Sequence, residues 1–224
     1  MRKAVLSLFI VFLSASFGYS QENKWGLSFT PTFVSAATSL HPGIQLGFEY
    51  KIKEGWHLLA EFTVPYKKDD PVYARDIRYL RVKPEIRYSL SPEEESGVNF
   101  YTGLQFSYVF RKWKDPNDGC YFENEFYDDS CITYSSASIN SPIVTSSGQI
   151  GALVKIGDHF CFDFFMGMGV RVINTSYSDI QNRGKTFSTR RTCMIMFSPD
   201  PAYWVNGNIT RFHFNSGLRF LYRF

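Results

Sequence analysis

The chain has 224 residues, with 24 basic and 21 acidic side chains and an aromatic content of 18%, and its mean hydropathy is −0.19. The balanced charge argues against a nucleic-acid-binding domain, which would carry a strongly basic surface, and the low hydropathy argues against a helical membrane protein. Many aromatic residues at modest hydropathy are typical of a β-barrel, because its inward-facing polar residues dilute every apolar run.

Residues Met1–Ser20 have the features of a secretory signal peptide. Arg2 and Lys3 provide a positive start, Val5–Phe17 is an apolar core, and small residues precede a cleavage site before Gln21. The alternative is a transmembrane anchor, but a run of about 13 residues is shorter than the roughly 20 that a membrane-spanning helix needs. We therefore expect a signal peptide over residues 1–20 and a β-barrel domain over residues 21–224.

After the signal peptide, apolar and polar residues alternate with a period of two, which places the two sets on opposite faces of a β-strand. Eight segments have this pattern. In chain order they are Trp25–Phe33, Ile44–Ile52, Trp56–Val64, Leu80–Tyr88, Val98–Phe110, Gln149–Ile156, Phe160–Val172 and Ile209–Phe224.

The connections between these segments alternate in length. Short turns are predicted at Lys53–Gly55, Ser89–Gly97 and Gly157–His159, whereas Arg111–Ser147 and Asn174–Asn208 are long polar loops. An even number of strands with alternating loop lengths is typical of bacterial outer-membrane barrels. The sequence therefore predicts an all-β fold, an eight-stranded antiparallel up-and-down transmembrane β-barrel with short periplasmic turns and long external loops.

Glycines indicate which face of the predicted sheet points inward. Glycine relieves crowding inside a barrel of about eight strands, whose interior has room for side chains and little else. The glycines on the polar face are Gly26, Gly47, Gly103, Gly151, Gly167, Gly169 and Gly217. We therefore expect the polar face to line the interior and the apolar face to contact lipid, with aromatic girdles at the strand ends.

The polar face carries charges of both signs, which must be paired when they are buried. The residues that we expect to form interior ion pairs are Glu49, Glu61, Arg81, Glu85, Asp163, Arg219 and Arg223. Asp163 should pair with Arg219 or Arg223, because the seventh and eighth strands are neighbours. The alternative interpretation of this charge is an anion path or a site for lipid phosphates.

Histidines and cysteines offer two further candidate sites. An inward His57 near Glu61 is a possible general base, and His213 also points inward, but the chain has no Gly-x-Ser-x-Gly nucleophile motif; a core role is the alternative that we favour. Cys120 and Cys131 lie in the third external loop, and an exported protein meets oxidising conditions, so we predict a disulfide between them.

Several alternatives remain open for the long loops. Zinc is the alternative to the disulfide, but the loop has no Cys-x-x-Cys pair; Cys161 is predicted to point inward, and the pairing of Cys193 is left open. The third loop is acidic and the fourth basic, so the two can pack over the mouth of the barrel. Calcium is an alternative role for the acidic residues, although an EF-hand loop is absent. No cofactor or metal is predicted.

Two stretches resemble a known family. The chain ends on Tyr222 and Phe224, two aromatic residues on one face of the last strand, and the run Leu80–Tyr88 is followed by Tyr101-Thr102-Gly103. The chain resembles the small eight-stranded outer-membrane barrels of the OmpA and OmpX kind, and it is similar to a group of barrels common in Bacteroidota, with PorT-like proteins as neighbours.

The resemblance implies a location and a set of partners. It implies residence in the cell outer membrane, contact with outer-membrane lipid and lipopolysaccharide, and recognition of Tyr222 and Phe224 by the assembly machinery. We expect a non-enzymatic structural or interaction role, with a possible protein partner at the external loops and no nucleic acid. A lipid-modifying barrel enzyme and a narrow anion-selective pore are the alternatives.

Overall fold

The computed structural model describes residues 24–31, 43–65, 78–90, 97–116, 118–123, 130–187 and 205–224. These residues form an all-β structure, and none of them belongs to a helix long and apolar enough to cross a membrane. The predicted signal peptide, most of the Ser89–Gly97 turn and Cys193 lie outside the described residues.

The described residues form twelve β-strands, which we number in chain order. The strands are β1 Trp25–Pro31, β2 Gly43–Lys53, β3 Trp56–Pro65, β4 Arg78–Ser89, β5 Val98–Asp115, β6 Gly119–Tyr121, β7 Ser130–Tyr134, β8 Ser136–Asn140, β9 Ile143–Ile156, β10 Phe160–Gln181, β11 Gly184–Phe187 and β12 Gly207–Arg223. Each of the eight predicted segments corresponds to one of the longer strands.

Eight strands are hydrogen-bonded into a closed antiparallel ring. Its order is β12, β1, β2, β3, β4, β5, β9 and β10, and β10 pairs with β12 to complete the circuit. The tight turns predicted after β2 and β9 are present, and Gly55 and Gly157 adopt positive φ angles there, of 72° and 67°, which glycine tolerates without a steric cost. The predicted eight-stranded antiparallel sheet is confirmed.

Cross-strand partners define how the ring closes. When each residue is followed to its cross-strand partner on the next strand, the series is Phe220, Phe29, Leu46, Phe62, Val82, Tyr108, Val144, Val172 and Thr210. The series starts at Phe220 and ends at Thr210 on the same strand, β12. This offset of ten residues means that the strands are tilted relative to the ring axis. With a rise of about 3.3 Å per residue and a strand spacing of about 4.8 Å, the tilt is about 41° and the backbone radius about 8 Å.

Three strands continue beyond one end of the ring. β5 runs on to Asp115 and β10 to Gln181, and β8, which continues the line of β9 past Ser141 and Pro142, pairs with both of them. A second sheet of β6, β7 and β11 packs beside these strands. We call this assembly the extension, its side of the ring the extension end, and the side with the Gly55 and Gly157 turns the turn end.

The extension corrects the prediction that Arg111–Ser147 and Asn174–Asn208 are loops. Much of each described part is strand, because the period-two alternation continues past Phe110 and Val172 with different residue types. Along β5, Arg111, Trp113 and Asp115 are buried while Lys112 and Lys114 are exposed. The alternation therefore persists, but its outward residues are polar.

Candidate functional site

The outer face of the ring is apolar and exposed. On β10 the outward residues are Phe160, Phe162, Phe164, Met166, Met168, Val170 and Val172, and Phe164 is 52% exposed. The same arrangement holds on the other ring strands, where polar outward residues such as Thr102 and Ser146 are uncharged. A soluble domain buries its large apolar side chains. The ring therefore has the inverse distribution, with apolar residues outside and polar residues inside.

The apolar residues form a band of the same length on four of the ring strands. On each of β5, β9, β10 and β12 the first and the last large apolar outward residues are twelve residue steps apart: Val98 and Phe110, Val144 and Ile156, Phe160 and Val172, and Phe212 and Phe224. Twelve steps measure about 40 Å along a strand, which at the tilt of about 41° is about 30 Å along the ring axis. This height matches the hydrocarbon thickness of a bilayer, about 30 Å.

The polarity reverses above the band. In the extension the exposed residues that follow Phe110 and Val172 on the outward face are polar: Lys112, Lys114, Asn174, Ser176 and Ser178. Several buried residues of the extension are apolar: Trp113, Tyr121, Ile132, Tyr134, Ala137 and Ile139 form one cluster with Tyr177 and Ile180 packed against it. The extension therefore has the ordinary polarity of a protein in water.

Aromatic pairs mark the turn end of the band. Trp25 lies against Tyr50, with ring centroids 4.6 Å apart, and Trp56 lies against Tyr88 at 5.1 Å. Tyr222, from the predicted assembly signal, contacts Phe160 at 5.0 Å and Phe224 at 6.2 Å. Trp and Tyr favour such positions because their rings are apolar and their edges can hydrogen-bond.

Arg219 is the centre of an ion network inside the ring. Its guanidinium donates to both carboxylate oxygens of Glu61, at 2.8 and 2.9 Å, and to Glu85 at 3.1 Å. Asp163 accepts a further hydrogen bond from the Arg219 Nη1 atom, and Lys83 Nζ lies 3.0 Å from Glu61. All these charged side chains are buried, so the network satisfies the requirement that buried charges be paired.

Arg87 extends the network toward the turn end. It contacts Glu85, donates to Asp163 at 2.9 Å and stacks on the Tyr101 ring, 4.6 Å from its centroid. Tyr101 donates its hydroxyl hydrogen to the second Asp163 oxygen at 2.7 Å. Asp163 is thereby held by three partners on three different strands, which ties distant parts of the ring together.

Space for these side chains depends on glycines at close approaches. A Cβ atom at Gly47 would lie 2.6 Å from the Glu61 Cγ atom, and one at Gly217 would lie 2.7 Å from the Phe165 ring. Phe165 in turn carries Arg219 over its face, with the guanidinium carbon 4.6 Å from the ring centroid. The inward position of the glycines therefore lets the ion network pack across the interior.

The structure brings most of the predicted ion-pair residues together. Asp163 lies against Arg219, whereas Arg223 pairs with Glu49 near the turn end, at 2.8 and 3.0 Å. Glu61 and Glu85 join the Arg219 cluster. Arg81 is also buried, but in a different part of the interior, where Val109 on β5 is its cross-strand partner.

Three members of the network are not among the seven residues for which we expected ion pairs. Lys83, Arg87 and Tyr101 were expected on the inward face from the alternation of β4 and β5, and the structure places them there. The pairing itself depends on register between strands far apart in sequence, so the partner of each charge was not predictable from spacing along one strand.

Cationic residues gather nearer the extension end. Arg171 and Arg211 are direct cross-strand partners on β10 and β12, and His213 lies opposite Gly169. Arg171, Arg81 and Lys83 lie close enough to His213 to act on it electrostatically. We call Arg81, Arg171, Arg211 and His213 the basic layer; all four side chains are buried.

Two clusters of buried apolar residues lie inside the ring, one on each side of the basic layer. Toward the extension end, Val109, Ile143, Ile173, Val205 and Ile209 form a cluster against which Phe122 packs. Toward the turn end the cluster consists of Tyr101, Leu153, Cys161, Phe165 and Leu221. We call the first cluster the upper plug; it lies between the basic layer and the extension.

The predicted His57–Glu61 pair is not the contact that the structure shows for His57. His57 Nδ1 lies 3.5 Å from Glu49, while Glu61 is held by Arg219 and Lys83. His213 lies in the basic layer. The structure therefore shows His57 against Glu49, and a role of either histidine as a general base stays untested.

Cys120 and Cys131 lie on neighbouring strands of the extension. Cys120 on β6 is the cross-strand partner of Thr133 on β7, so Cys131 is two positions further along on the same face. The Cys131 sulfur is buried and carries no disulfide bond in the structure. The bridge stays a prediction.

Candidate metal ligands are dispersed. Within the described part of the chain, no group of three or more His, Cys, Asp or Glu side chains is arranged to hold a metal ion.

Comparison with known proteins gave no match: no family model matches the sequence, and no curated protein matches it either. The fold and the polarity of its two faces are therefore the basis for a functional proposal.

Proposed function

We propose that this protein is a non-enzymatic outer-membrane β-barrel, with a structural or interaction role carried by its external extension. The observation that carries the proposal is the apolar outer band, which runs around the whole ring and has the same length on β5, β9, β10 and β12. An exposed apolar surface of this size is far larger than the few hundred Å² found on soluble monomers. Lipid is the partner that fits an uninterrupted belt.

The closed ring supports the same proposal. In a hydrocarbon environment every backbone polar group needs an internal partner, and a closed ring supplies one because it has no edge strand. The polar extension then lies outside the membrane, where water and lipopolysaccharide head groups are its surroundings. Tyr222 and Phe224 lie at the opposite rim, where we propose that the assembly machinery reads them.

The interior favours a structural role over transport. The ion network links β3, β4, β10 and β12 through Arg219 and its partners, and the upper plug adds five buried apolar side chains below the extension. A ring of about eight strands has room for side chains and little else. The extension is therefore the part of the molecule available to a protein partner.

Membrane fractionation of the native bacterium tests the proposal. The protein should sediment with the outer membrane, resist extraction by high salt, and migrate faster on gels before boiling than after it. A periplasmic marker protein and a known outer-membrane barrel serve as controls in the same fractions. Recovery in the soluble periplasmic fraction, without heat-modifiable migration, would contradict it.

A further inference from the structure

The outward face of the extension carries two exposed lysines directly above the apolar band. Lys112 and Lys114 follow Phe110 on the outward side of β5, and both side chains are exposed. On the neighbouring strand β4, Arg78 is a cross-strand partner of Lys112, so three basic positions adjoin at this part of the rim. The charge therefore changes from none to positive within one step of the outward period.

The lysines belong to a continuous polar surface on three paired strands, β5, β8 and β10. Two cross-strand rows form this surface: Lys112, Asn140 and Ser176, and Lys114, Ser138 and Ser178. Each row begins with a lysine and continues with uncharged side chains that donate and accept hydrogen bonds. Asp179, the acidic residue that comes next on β10, lies at the bulge beyond both rows. We call these two rows the lysine face.

The height of the lysine face above the band matches the head-group layer of a bilayer. Lys112 is two residue steps beyond Phe110 and Lys114 is four, which at the tilt of the strands is about 5 and 10 Å along the ring axis. A bilayer of about 40–45 Å with a hydrocarbon core of about 30 Å leaves about 5–7 Å for the head groups on each side. Lys112 thus lies within that layer, and the flexible stem of Lys114 lets its ammonium group reach it.

Exposed lysines at the opposite rim have different surroundings. Lys53 is followed directly by Glu54, and Lys155 lies three residues before Asp158 in the second tight turn; all four side chains are exposed. Opposite charges therefore alternate at the turn end, whereas the lysine face combines positive charge with neutral hydrogen-bonding groups. This difference gives the extension end the affinity for anionic groups.

We propose that the lysine face binds the phosphorylated sugar head group of an outer-leaflet glycolipid, lipopolysaccharide. Lys112 and Lys114 bind its phosphate groups, for which lysine acts as a point charge, and the hydroxyl and amide side chains of β8 and β10 form hydrogen bonds with its sugars. This inference rests on the proposed membrane orientation of the ring. It adds a defined site, on one sector of the rim, to the general contact with lipid.

Lipid binding by the folded protein in detergent micelles tests the site. Native mass spectrometry compares lipid A, the phosphorylated disaccharide lipid of lipopolysaccharide, with the same lipid after phosphatase treatment. A lysine near anionic lipid contributes about a fivefold gain in affinity, so two lysines should favour the phosphorylated form on the order of 25-fold. Equal affinity for the two forms would overturn the proposal. Equal affinity for phosphatidylglycerol, an anionic lipid without a sugar, would also overturn it, because any anionic lipid would then suffice.

Two double variants with the same change in net charge separate the lysine face from general attraction. Lys112→Gln with Lys114→Gln should lower the affinity for lipid A on the order of 25-fold, to that of the phosphatase-treated lipid. Lys53→Gln with Lys155→Gln, at the turn end, should bind lipid A as the unmodified protein does. Equal losses in the two double variants would contradict the assignment. Arginine at positions 112 and 114 keeps the charge and should retain the binding.

Heat-modifiable migration of each protein, together with insertion into phosphatidylcholine vesicles, distinguishes this inference from the proposed function. The comparison of the two forms of lipid A uses the unmodified protein, so it does not depend on a variant folding. A protein that inserts into vesicles without a preference for phosphorylated lipid A would overturn the lysine face alone and leave the barrel proposal standing. A protein that does not insert would overturn both.

Discussion

A charge placed at the middle of the apolar band should destabilise the protein according to its depth. Leu104 is the most informative position, because it is 55% exposed and lies six residue steps from both Val98 and Phe110, the ends of the band on β5. Six steps correspond to about 15 Å along the ring axis. Leu104 is therefore placed at the bilayer midplane by the proposed orientation.

The expected cost follows from that depth. An arginine on the lipid face of a barrel costs about 2–4 kcal/mol at the midplane and about 0–1 kcal/mol near the interfaces. Leu104→Arg should thus lower the folding equilibrium constant about 30- to 700-fold, whereas Phe110→Arg should lower it by about sixfold or less. Lys112→Arg, above the band, keeps the charge and serves as the control.

Guanidinium unfolding from phospholipid vesicles measures these costs. Tryptophan fluorescence follows the transition, and reversibility is checked by refolding from high denaturant. If the outer face meets water instead of lipid, both arginine variants should behave as ordinary surface substitutions, within about 0.5 kcal/mol of each other. Equal costs at positions 104 and 110 would refute the membrane orientation.

Three further predictions concern the interior and the extension. Asp163→Ala removes the carboxylate that two buried arginines share and should cost about 3–5 kcal/mol in urea unfolding. Asp158→Ala in the exposed turn should change stability by less than about 0.5 kcal/mol. An unchanged midpoint for Asp163→Ala would count against the network. Non-reducing peptide mapping should find Cys120 and Cys131 joined, and two alkylated thiols would refute the bridge. In planar bilayers the purified protein should give no stable porin-like steps, because side chains fill the interior; reproducible large anion-selective openings would favour the pore.

The number and order of the ring strands could be predicted because their outward residues are apolar. Segments such as Phe160–Val172 have uninterrupted alternation, and their turns contain glycines that need positive φ angles. The inward direction of the polar face was predictable from the glycines, and Gly47 shows the physical reason, since Glu61 packs where its side chain would be.

The extension could not be predicted from the same criterion. Above Phe110 the outward residues become Lys112 and Lys114, and the inward ones include Trp113, so apolar residues change sides within one strand. A search for one continuous apolar face therefore stops at the band edge, although the strand continues. The available signal was the period of two itself, independent of which face carries the apolar residues.

The candidate site was predictable in its residue types but not in its pairings. Burial requires Asp163 to have a cation, and the neighbouring strand supplied Arg219. The contact between Asp163 and Arg87 joins residues that are 76 positions apart, and it depends on side chains reaching across the interior. The position of the basic layer likewise depends on the register that places Arg171 opposite Arg211.

Site-directed spin labelling along β5 tests the central claim, that the outer band contacts lipid, most directly. Single nitroxides are placed at outward positions from 98 to 114 and at inward positions 105 and 109, with the native cysteines replaced by serine and the protein in vesicles. Collisions with oxygen, which concentrates in lipid, should dominate at outward positions up to Phe110, and collisions with a water-soluble nickel chelate should dominate at Lys112 and Lys114. Inward labels should be shielded from both. High accessibility of positions 104 and 106 to the nickel chelate would contradict the account.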